Sequence, residues 1–332
     1  MRRAAVLVEP FSRSHLTTGR ADALGDHILD YIYVVAGLIG LFLGGEALVR
    51  GSVGIARRMA IPPLLIGLTV VGFGTSTPEL LVSVQAAMRG VPDIAVGNII
   101  GSNIANILLI VGLTSLVWPI RVSGATLRRD TAVMVAAALV LVPVFATGEI
   151  GRLPGLLLVA ALAGYLTWAY LQPGPATDDD DTAVPTSMAK SALWVAAGLV
   201  ALMFGARFLV DGSVSIARSL GASEAFIGLT IVAVGTSLPE LATSIIAAFR
   251  RQSEIAIGNI VGSNIFNVLG ILGVTAIIKP VPVADRFLAF DLPIMIAATL
   301  ALTALLLTRP VIGRGIGLVV LAAYIIYVWS AQ

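Results

Sequence analysis

Apolar residues fall in ten long runs, at roughly 28–49, 62–88, 93–118, 130–147, 153–171, 190–211, 223–249, 254–278, 287–307 and 313–330. Short polar stretches rich in arginine, proline and glycine separate them. Each run approaches the ~20 residues that a helix needs to cross the hydrocarbon core. The pattern predicts an all-α integral membrane protein with ten transmembrane helices, since a spanning helix satisfies its own backbone polar groups. Residues 1–27 are mixed and polar and read as a tail; the apolar piece Ala4–Val8 is too short for a signal-peptide core. Residues 172–189 separate the fifth run from the sixth. Within them, prolines, a glycine and the four aspartates Asp178–Asp181 describe an acidic, solvated linker. Its aspartates lack the ligand spacing of a calcium loop.

The two halves repeat. Gly72–Asn106, GFGTSTPELLVSVQAAMRGVPDIAVGNIIGSNIAN, returns without a gap as Ala233–Asn267, AVGTSLPELATSIIAAFRRQSEIAIGNIVGSNIFN, at an offset of 161 residues. Similarity continues upstream, where Gly51-Ser52-Val53 matches Gly212-Ser213-Val214 and Ile66-Gly67-Leu68-Thr69 matches Ile227-Gly228-Leu229-Thr230. The offset contains five runs, an odd number. The second half therefore enters the membrane upside down relative to the first, giving two inverted-topology five-helix repeats over 28–171 and 190–332. Their core stretches are 62–118 and 223–279.

Composition narrows the function. The chain is 58% hydrophobic and 12% charged, with a mean hydropathy of +0.97, against about a quarter charged in soluble domains. A net charge of +2, with the basic residues in short loops, makes nucleic acid an unsuitable partner. No cysteine is present, so thiolate metal sites and disulfides are excluded. The two histidines, His15 and His27, lie in the tail, so no imidazole metal centre or relay sits within the membrane. Placing the N-terminus outside puts eleven loop and segment-end lysines and arginines on the cytoplasmic face and six on the other. That favours N-out, although the arginines of the tail argue against it.

The repeated stretches place polar groups at membrane depth, where they are costly and mark function by default. On a helix, Gly72, Thr75, Ser76, Glu79 and Ser83 share one face. Pro78 lacks an N–H and crowds the Gly74 carbonyl. The turn Gly72–Thr75 is therefore expected to break and free carbonyl oxygens, with Pro239 and Gly235 repeating the arrangement. Ser102 and Asn106 lie one turn apart on the third segment. Gly97 with Gly101, and Gly258 with Gly262, permit close helix approach. All these donors are oxygen: two carboxylates, several hydroxyls and amides, and free carbonyls. Hard cations such as Ca²⁺ and Na⁺ want this set; soft metals do not. Glu79 and Glu240 together give about −2, neutralised by one Ca²⁺, two Na⁺ or two protons. An empty, fully ionised site resists dehydration, which favours exchange over uniport. Other polar residues are read structurally. Ser83, Ser244, Thr69 and Thr230 are expected to bond their own backbone. Asn98 and Asn259 either cap a half-helix or face the site. Asn103 and Asn264 brace it. Glu46, Arg207 and Asp211 are expected at the membrane interface.

At these motifs the sequence resembles the cation/calcium exchanger (CaCA) superfamily, with its paired α-repeats. GTSTPEL with GNIIGSNIAN, and GTSLPEL with GNIVGSNIFN, resemble its prokaryotic sodium/calcium exchanger (antiporter) branch. The resemblance covers about residues 30–330. It implies ten helices, with helices 2, 3, 7 and 8 at the core and helices 1 and 6 sliding as a gate, and electrogenic exchange. It further implies that Glu79 and Glu240 bind Ca²⁺, helped by the carbonyls of Thr75 and Thr236. One sodium set would be Thr75, Ser76 and Ser102 with the Gly72 carbonyl, and the other Thr236, Ser237 and Ser263 with the Ala233 carbonyl. Asn106 and Asn267 would line the centre. Some relatives, including potassium-dependent ones, carry aspartate where Asn267 stands, so the amide argues against K⁺ co-transport. The Thr-Ser pairs favour sodium over the proton/calcium branch. The short linker lacks the large regulatory domain of animal plasma-membrane exchangers, which points to a prokaryotic inner or cell membrane. No cofactor, protein partner or catalytic residue is implied; the transported Ca²⁺ and Na⁺ and the lipid bilayer are the partners.

The leading expectation is thus a secondary Na⁺/Ca²⁺ antiporter. Three alternatives remain. Buried glutamates can carry protons, giving an H⁺/Ca²⁺ antiporter on the same fold. A calcium channel would favour rings of charge around an oligomer axis. An intramembrane enzyme using paired carboxylates leaves the hydroxyls and amides without a role.

Overall fold

The computed structural model describes residues 21–122, 127–172, 187–221 and 233–331, with side chains described from residue 28 and, in the last stretch, from residue 234. Its eleven named helices are α1 (Ala21–Met59), α2 (Pro63–Thr75), α3 (Thr77–Met88), α4 (Pro92–Val117), α5 (Leu127–Ala146), α6 (Arg152–Leu171), α7 (Met188–Ser219), α8 (Leu238–Phe249), α9 (Ser253–Ile278), α10 (Phe287–Thr308) and α11 (Arg314–Ser330). A short helical turn, Ala233–Gly235, precedes α8. Seven of the described helices are long and apolar enough to cross a membrane, and an eighth span results if α2 and α3 count as one. The shorter apolar helices are α8 and α11. The first twenty residues of the tail, most of the acidic linker and the start of the seventh predicted run, with Thr230, lie outside the described residues.

α1 begins at Ala21, inside the predicted tail of 1–27, and two helix ends also differ from the hydrophobic pattern. α1 continues to Met59 and α7 to Ser219, past the predicted ends at 49 and 211. Arg50, Arg57 and Arg58 therefore ride on the helix rather than in a loop; hydrophobicity marks an apolar run and says nothing of where the helix that carries it ends. The strands were not anticipated either. Ile120–Arg121 (β1) pairs antiparallel with Val311–Ile312 (β4), and Glu149–Ile150 (β2) with Val281–Pro282 (β3). Each is too short to register as a period-two pattern. Together they tie the loops of one half to those of the other.

α1 and α7 lie antiparallel along a seam of glycines. Gly37, Gly44 and Gly51 on α1 are matched at the 161-residue offset by Gly198, Gly205 and Gly212 on α7. A Cβ added to Gly44 would stand 2.7 Å from the Leu202 nitrogen, and one at Gly198 would stand 2.6 Å from that of Leu48. No other residue fits, so the two backbones run in direct contact, as small residues allow between membrane helices. The remaining helices surround a core centred on α4 and α9, where Ile99, Ile100, Ile104, Ile110, Ile265, Ile271 and Leu272 are fully enclosed.

Helix α9 meets α2 in the same manner. A Cβ at Gly258 would contact the Leu64 carbonyl oxygen at 2.5 Å, and one at Gly262 would overlap the backbone of Leu68. The glycine pair of the second repeat thus behaves as expected. For Gly97 and Gly101 the described residues show no comparable approach; most of the segment matching α2 in the second half, up to residue 232, lies outside them.

Candidate cation site

The broken second span and its counterpart carry the acids. α2 begins with Pro63 at its first turn, where a missing N–H costs nothing. It then widens into a π-helical stretch at Gly67–Val71 and regains α geometry over Gly72–Thr75. The chain bends by 44° between α2 and α3. Ser76, at the junction, has φ −83° and ψ 8°. The break therefore falls one residue later than expected: Gly72–Thr75 keeps its helical turn, with Ser76 N–H bonded to the Gly72 carbonyl at 3.2 Å. Pro78 is accommodated in the first turn of α3 rather than breaking the turn before it. Pro239 occupies the same place at the start of α8. Glu79 and Glu240 then fall in the first turns of α3 and α8, where the helix dipole favours negative charge.

The two acids are wired crosswise. Ser76 Oγ of the first half donates to Glu240 Oε1 of the second at 2.9 Å. Ser237 Oγ of the second half donates to Glu79 Oε1 of the first at 3.4 Å. Both carboxylates are 1% exposed. Their second oxygens, Glu79 Oε2 and Glu240 Oε2, have no hydrogen-bond partner. Neither does the side-chain oxygen of Asn106, nor either amide atom of Asn267. Buried polar atoms are almost always paired. Four buried oxygens without a donor, two of them on acids, are the kind of group that a bound cation would satisfy. A hard cation supplies what these oxygens lack. Among the described residues no group of three or more histidine, cysteine, aspartate and glutamate side chains could hold a metal, so the neutral oxygens must complete any coordination shell.

Thr75 is buried; its Oγ1 lies 3.0 Å from the Val71 carbonyl, 3.4 Å from that of Gly72 and 3.1 Å from Asn259 Oδ1. The Gly72 carbonyl accepts from Ser263 Oγ at 3.3 Å. The Gly72 carbonyl thus meets Ser263 of the second half, where the resemblance grouped it with Ser102. The chain segments of the two halves cross, so Ser76, Ser237 and Ser263 each meet the opposite repeat. Ser102 is buried on α4 with no hydrogen bond to the carboxylates. Thr236 is half-buried in the turn before α8, and Ala233 opens the short helical turn ahead of it.

The asparagines and serines just behind the acids differ from what the sequence suggests. Asn98 Nδ2 donates to the Glu79 carbonyl at 3.1 Å and to Ser83 Oγ at 2.9 Å. Asn259 repeats both contacts, to the Glu240 carbonyl at 3.1 Å and Ser244 Oγ at 2.9 Å. These amides therefore clamp neighbouring helices together instead of capping their own. Ser83 and Ser244 act as acceptors for the clamp, not as partners of their own backbone. The shared spacing, nineteen residues from each Glu to each Asn in both halves, was the available signal. Thr69 does bond its own helix, at the Leu65 carbonyl, 2.7 Å. Asn103 and Asn264 bond the carbonyls of Ile99 and Ile260, both at 2.7 Å, and brace their own helices. Asn106 and Asn267 lie in π-helical stretches, Ala105–Ile110 and Phe266–Leu272, that the sequence did not predict. Such turns recur at functional sites because they widen the helix and redirect side chains.

A buried oxygen-donor centre built by two halves of a helical membrane domain defines a polytopic ion transporter. The comparisons make this specific: the chain belongs to the sodium/calcium exchanger family, on its prokaryotic branch. The family model "Sodium/calcium exchanger protein" matches residues 29–171 and 190–331. The "Putative antiporter CaxA" of Alkalimonas amylolytica is 40% identical over 82% of this chain and 88% of its own length. A solved structure of the sodium-calcium exchanger NCX_Mj, soaked with zero Na⁺ and Ca²⁺, superposes with a TM-score of 0.80 at 33% identity, covering 92% of this chain and 99% of that one. The "Ca(2+)/H(+) antiporter ChaA" of Bacillus subtilis is 29% identical over 73% of this chain and 76% of its own. The protein is accordingly a multi-pass membrane antiporter of the calcium-exchanger family.

Proposed function

We propose that the protein exchanges Na⁺ for Ca²⁺ by alternating access, binding its cations midway across the bilayer. The observation that carries this reading is the crosswise pair: one dry carboxylate from each half, each held by a serine of the other half, each with one oxygen free. Ca²⁺ is bound by Glu79 and Glu240 with the carbonyls of Thr75 and Thr236. Sodium is bound by the hydroxyl and carbonyl groups around them. The contact between Ser263 and Gly72 supports exchanging Ser102 and Ser263 between the two sodium sets. Thr75, Ser76, Ser263 and the Gly72 carbonyl then form one set, and Thr236, Ser237, Ser102 and the Ala233 carbonyl the other. Asn106 and Asn267 face the centre as neutral ligands.

The architecture behind this is ten spans in two inverted five-helix repeats, 28–171 and 190–332. The strand pairs support it. β1 follows the third span and β4 the ninth, while β2 follows the fourth and β3 the eighth, so each pair joins loops of equal parity. β1 and β3 occupy equivalent places in the two repeats yet belong to different pairs. Inversion requires this, because equivalent loops then lie on opposite faces of the membrane.

Sodium as counter-ion is supported by the Thr-Ser pairs and by the name of the matched exchanger structure. A proton is the second reading, favoured by the name of the ChaA relative. Reconstituted vesicles loaded with Na⁺ and placed in Na⁺-free medium should accumulate Ca²⁺. An imposed pH gradient without Na⁺ should not drive that uptake. Uptake driven by the pH gradient alone would replace sodium with the proton, and uptake with no counter-cation at all would end the exchange reading.

A further inference from the structure

The repeat is closely kept in the site but reversed in charge at one contact outside it. Glu46 on α1 pairs with Arg250 at the end of α8, Nε to Oε2 2.8 Å; the two side chains are 28% and 52% exposed. The 161-residue offset carries Glu46 to Arg207 on α7 and Arg250 to Arg89 at the end of α3. The equivalent contact in the other half would set two guanidinium groups against each other.

Packing is unequal in the same sense. α1 lies along α8, where a Cβ added to Gly45 would stand 3.5 Å from the Ala242 carbonyl and Ile246 is buried. The equivalents of Ala242 and Ile246 on α3 are Leu81 and Gln85, and both are exposed. α7 does not close over them. In this arrangement Arg207 turns to Asp211 on its own helix, at 3.7 Å with both side chains well exposed. Arg50, which matches Asp211, lies over the Trp194 ring of α7 at 5.7 Å. The first half thus offers an acid to α8, and the second half offers a base to α3.

Alternating access in an inverted repeat requires the two halves to exchange conformations. The α1–α8 contact would open as the α7–α3 contact forms. We propose that the Glu46–Arg250 pair is a latch that biases the exchanger toward the state described here, since the opposite state loses this attraction and brings Arg207 toward Arg89. The inference rests on the alternating-access reading above. With the loops after odd-numbered spans cytoplasmic, the latch shuts the cytoplasmic end and favours the outward-open state. A partly exposed pair is a weak device, and Asp211, one turn from Arg207, softens the repulsion. The bias is therefore a population ratio of about two to five.

The absence of cysteine makes the test direct. Spin labels at Met59→Cys with Phe249→Cys report the α1–α8 side. Labels at Leu220→Cys with Met88→Cys report the equivalent α7–α3 side. All four positions are exposed. Pulsed dipolar distances are read in liposomes with Na⁺ and with Ca²⁺, and in each background Glu46→Gln and Arg207→Glu are compared with the parent. Each variant should move about two- to fivefold more molecules to the exchanged state, lengthening the first distance and shortening the second. If the distances respond to ions but populations are the same in the variants, the latch is refuted and alternating access stands. If neither distance changes under any ion condition, alternating access itself fails.

Discussion

Replacing Gly262 with alanine would drive a methyl group into the backbone of Leu68. A Cβ at this position would stand 2.9 Å from the Leu68 carbonyl carbon and closer still to its oxygen and Cα. Non-bonded carbons rest at about 3.5–4.0 Å and the nearest carbon, Leu68 Cα, would lie at 2.6 Å, so α9 and α2 must part by roughly 0.9–1.4 Å. Two contacts cross the same seam, Thr75 to Asn259 at 3.1 Å and Ser263 to Gly72 at 3.3 Å. The displacement stretches both beyond hydrogen-bond range. Overpacking of this kind costs about 1–3 kcal/mol, and a binding constellation tolerates only about 0.5 Å of error. The apparent Na⁺ affinity of Ca²⁺ exchange should fall at least ~10-fold, equivalent to about 1.4 kcal/mol. The protein should remain folded, with a lowered melting temperature. The assay is Na⁺-dependent Ca²⁺ efflux from proteoliposomes, with size-exclusion chromatography and a thermal melt of the same preparation. Gly164→Ala serves as control, because a Cβ there meets nothing within 4 Å. Unchanged Na⁺ dependence together with an unchanged melt for Gly262→Ala would refute the reasoning, since a seam that admits a methyl group cannot be setting the distances at the site.

Asn259→Ala should impair Na⁺-dependent exchange more than Asn98→Ala. Asn259 is fully enclosed and has Thr75 as an additional neighbour. Each buried partner left unsatisfied costs about 1–3 kcal/mol; equal effects in the same efflux assay would contradict the described asymmetry. Asp130→Ala and Asp291→Ala should lower the melting temperature without changing the Na⁺ or Ca²⁺ concentration dependence. Each acid joins an arginine and a tyrosine away from the site: Arg129 at 2.7 Å and Tyr165 at 3.1 Å, and Arg286 at 3.3 Å and Tyr327 at 3.0 Å. A changed ion dependence with an unchanged melt would assign these clusters a part in transport.

Much of this was legible in the sequence because a gapless repeat is a strong signal. The pairing of Thr75, Ser76 and Glu79 with Thr236, Ser237 and Glu240 needs no structure, and neither do the spans that carry them. What was not legible is how the two copies touch. Nothing in the string GTSTPEL says that Ser76 will reach Glu240 instead of Glu79, because the crossing is made by the packing of α2 on α9. The π-helical stretches around Asn106 and Asn267 also escaped, since residue preferences for α and π turns scarcely differ. The glycine seam between α1 and α7 could have been read: Gly37, Gly44 and Gly51 return as Gly198, Gly205 and Gly212. Scattered at seven-residue intervals in apolar runs, they offered no polar group to draw notice. An isolated serine in a membrane helix ordinarily bonds its own backbone, and Ser83 and Ser244 do not. Their partners came from another helix, and only the parallel spacing to Asn98 and Asn259 hinted at it.

The central claim is that two buried acids, one from each half, jointly bind the transported Ca²⁺. It is tested most directly by radiolabelled Ca²⁺ uptake into Na⁺-loaded proteoliposomes with Glu79→Gln and Glu240→Gln, each kept at the same size and nearly isosteric. The account predicts that either substitution alone abolishes uptake while the purified protein stays monodisperse and folded. Uptake at the parent rate and Ca²⁺ dependence in either variant would contradict it.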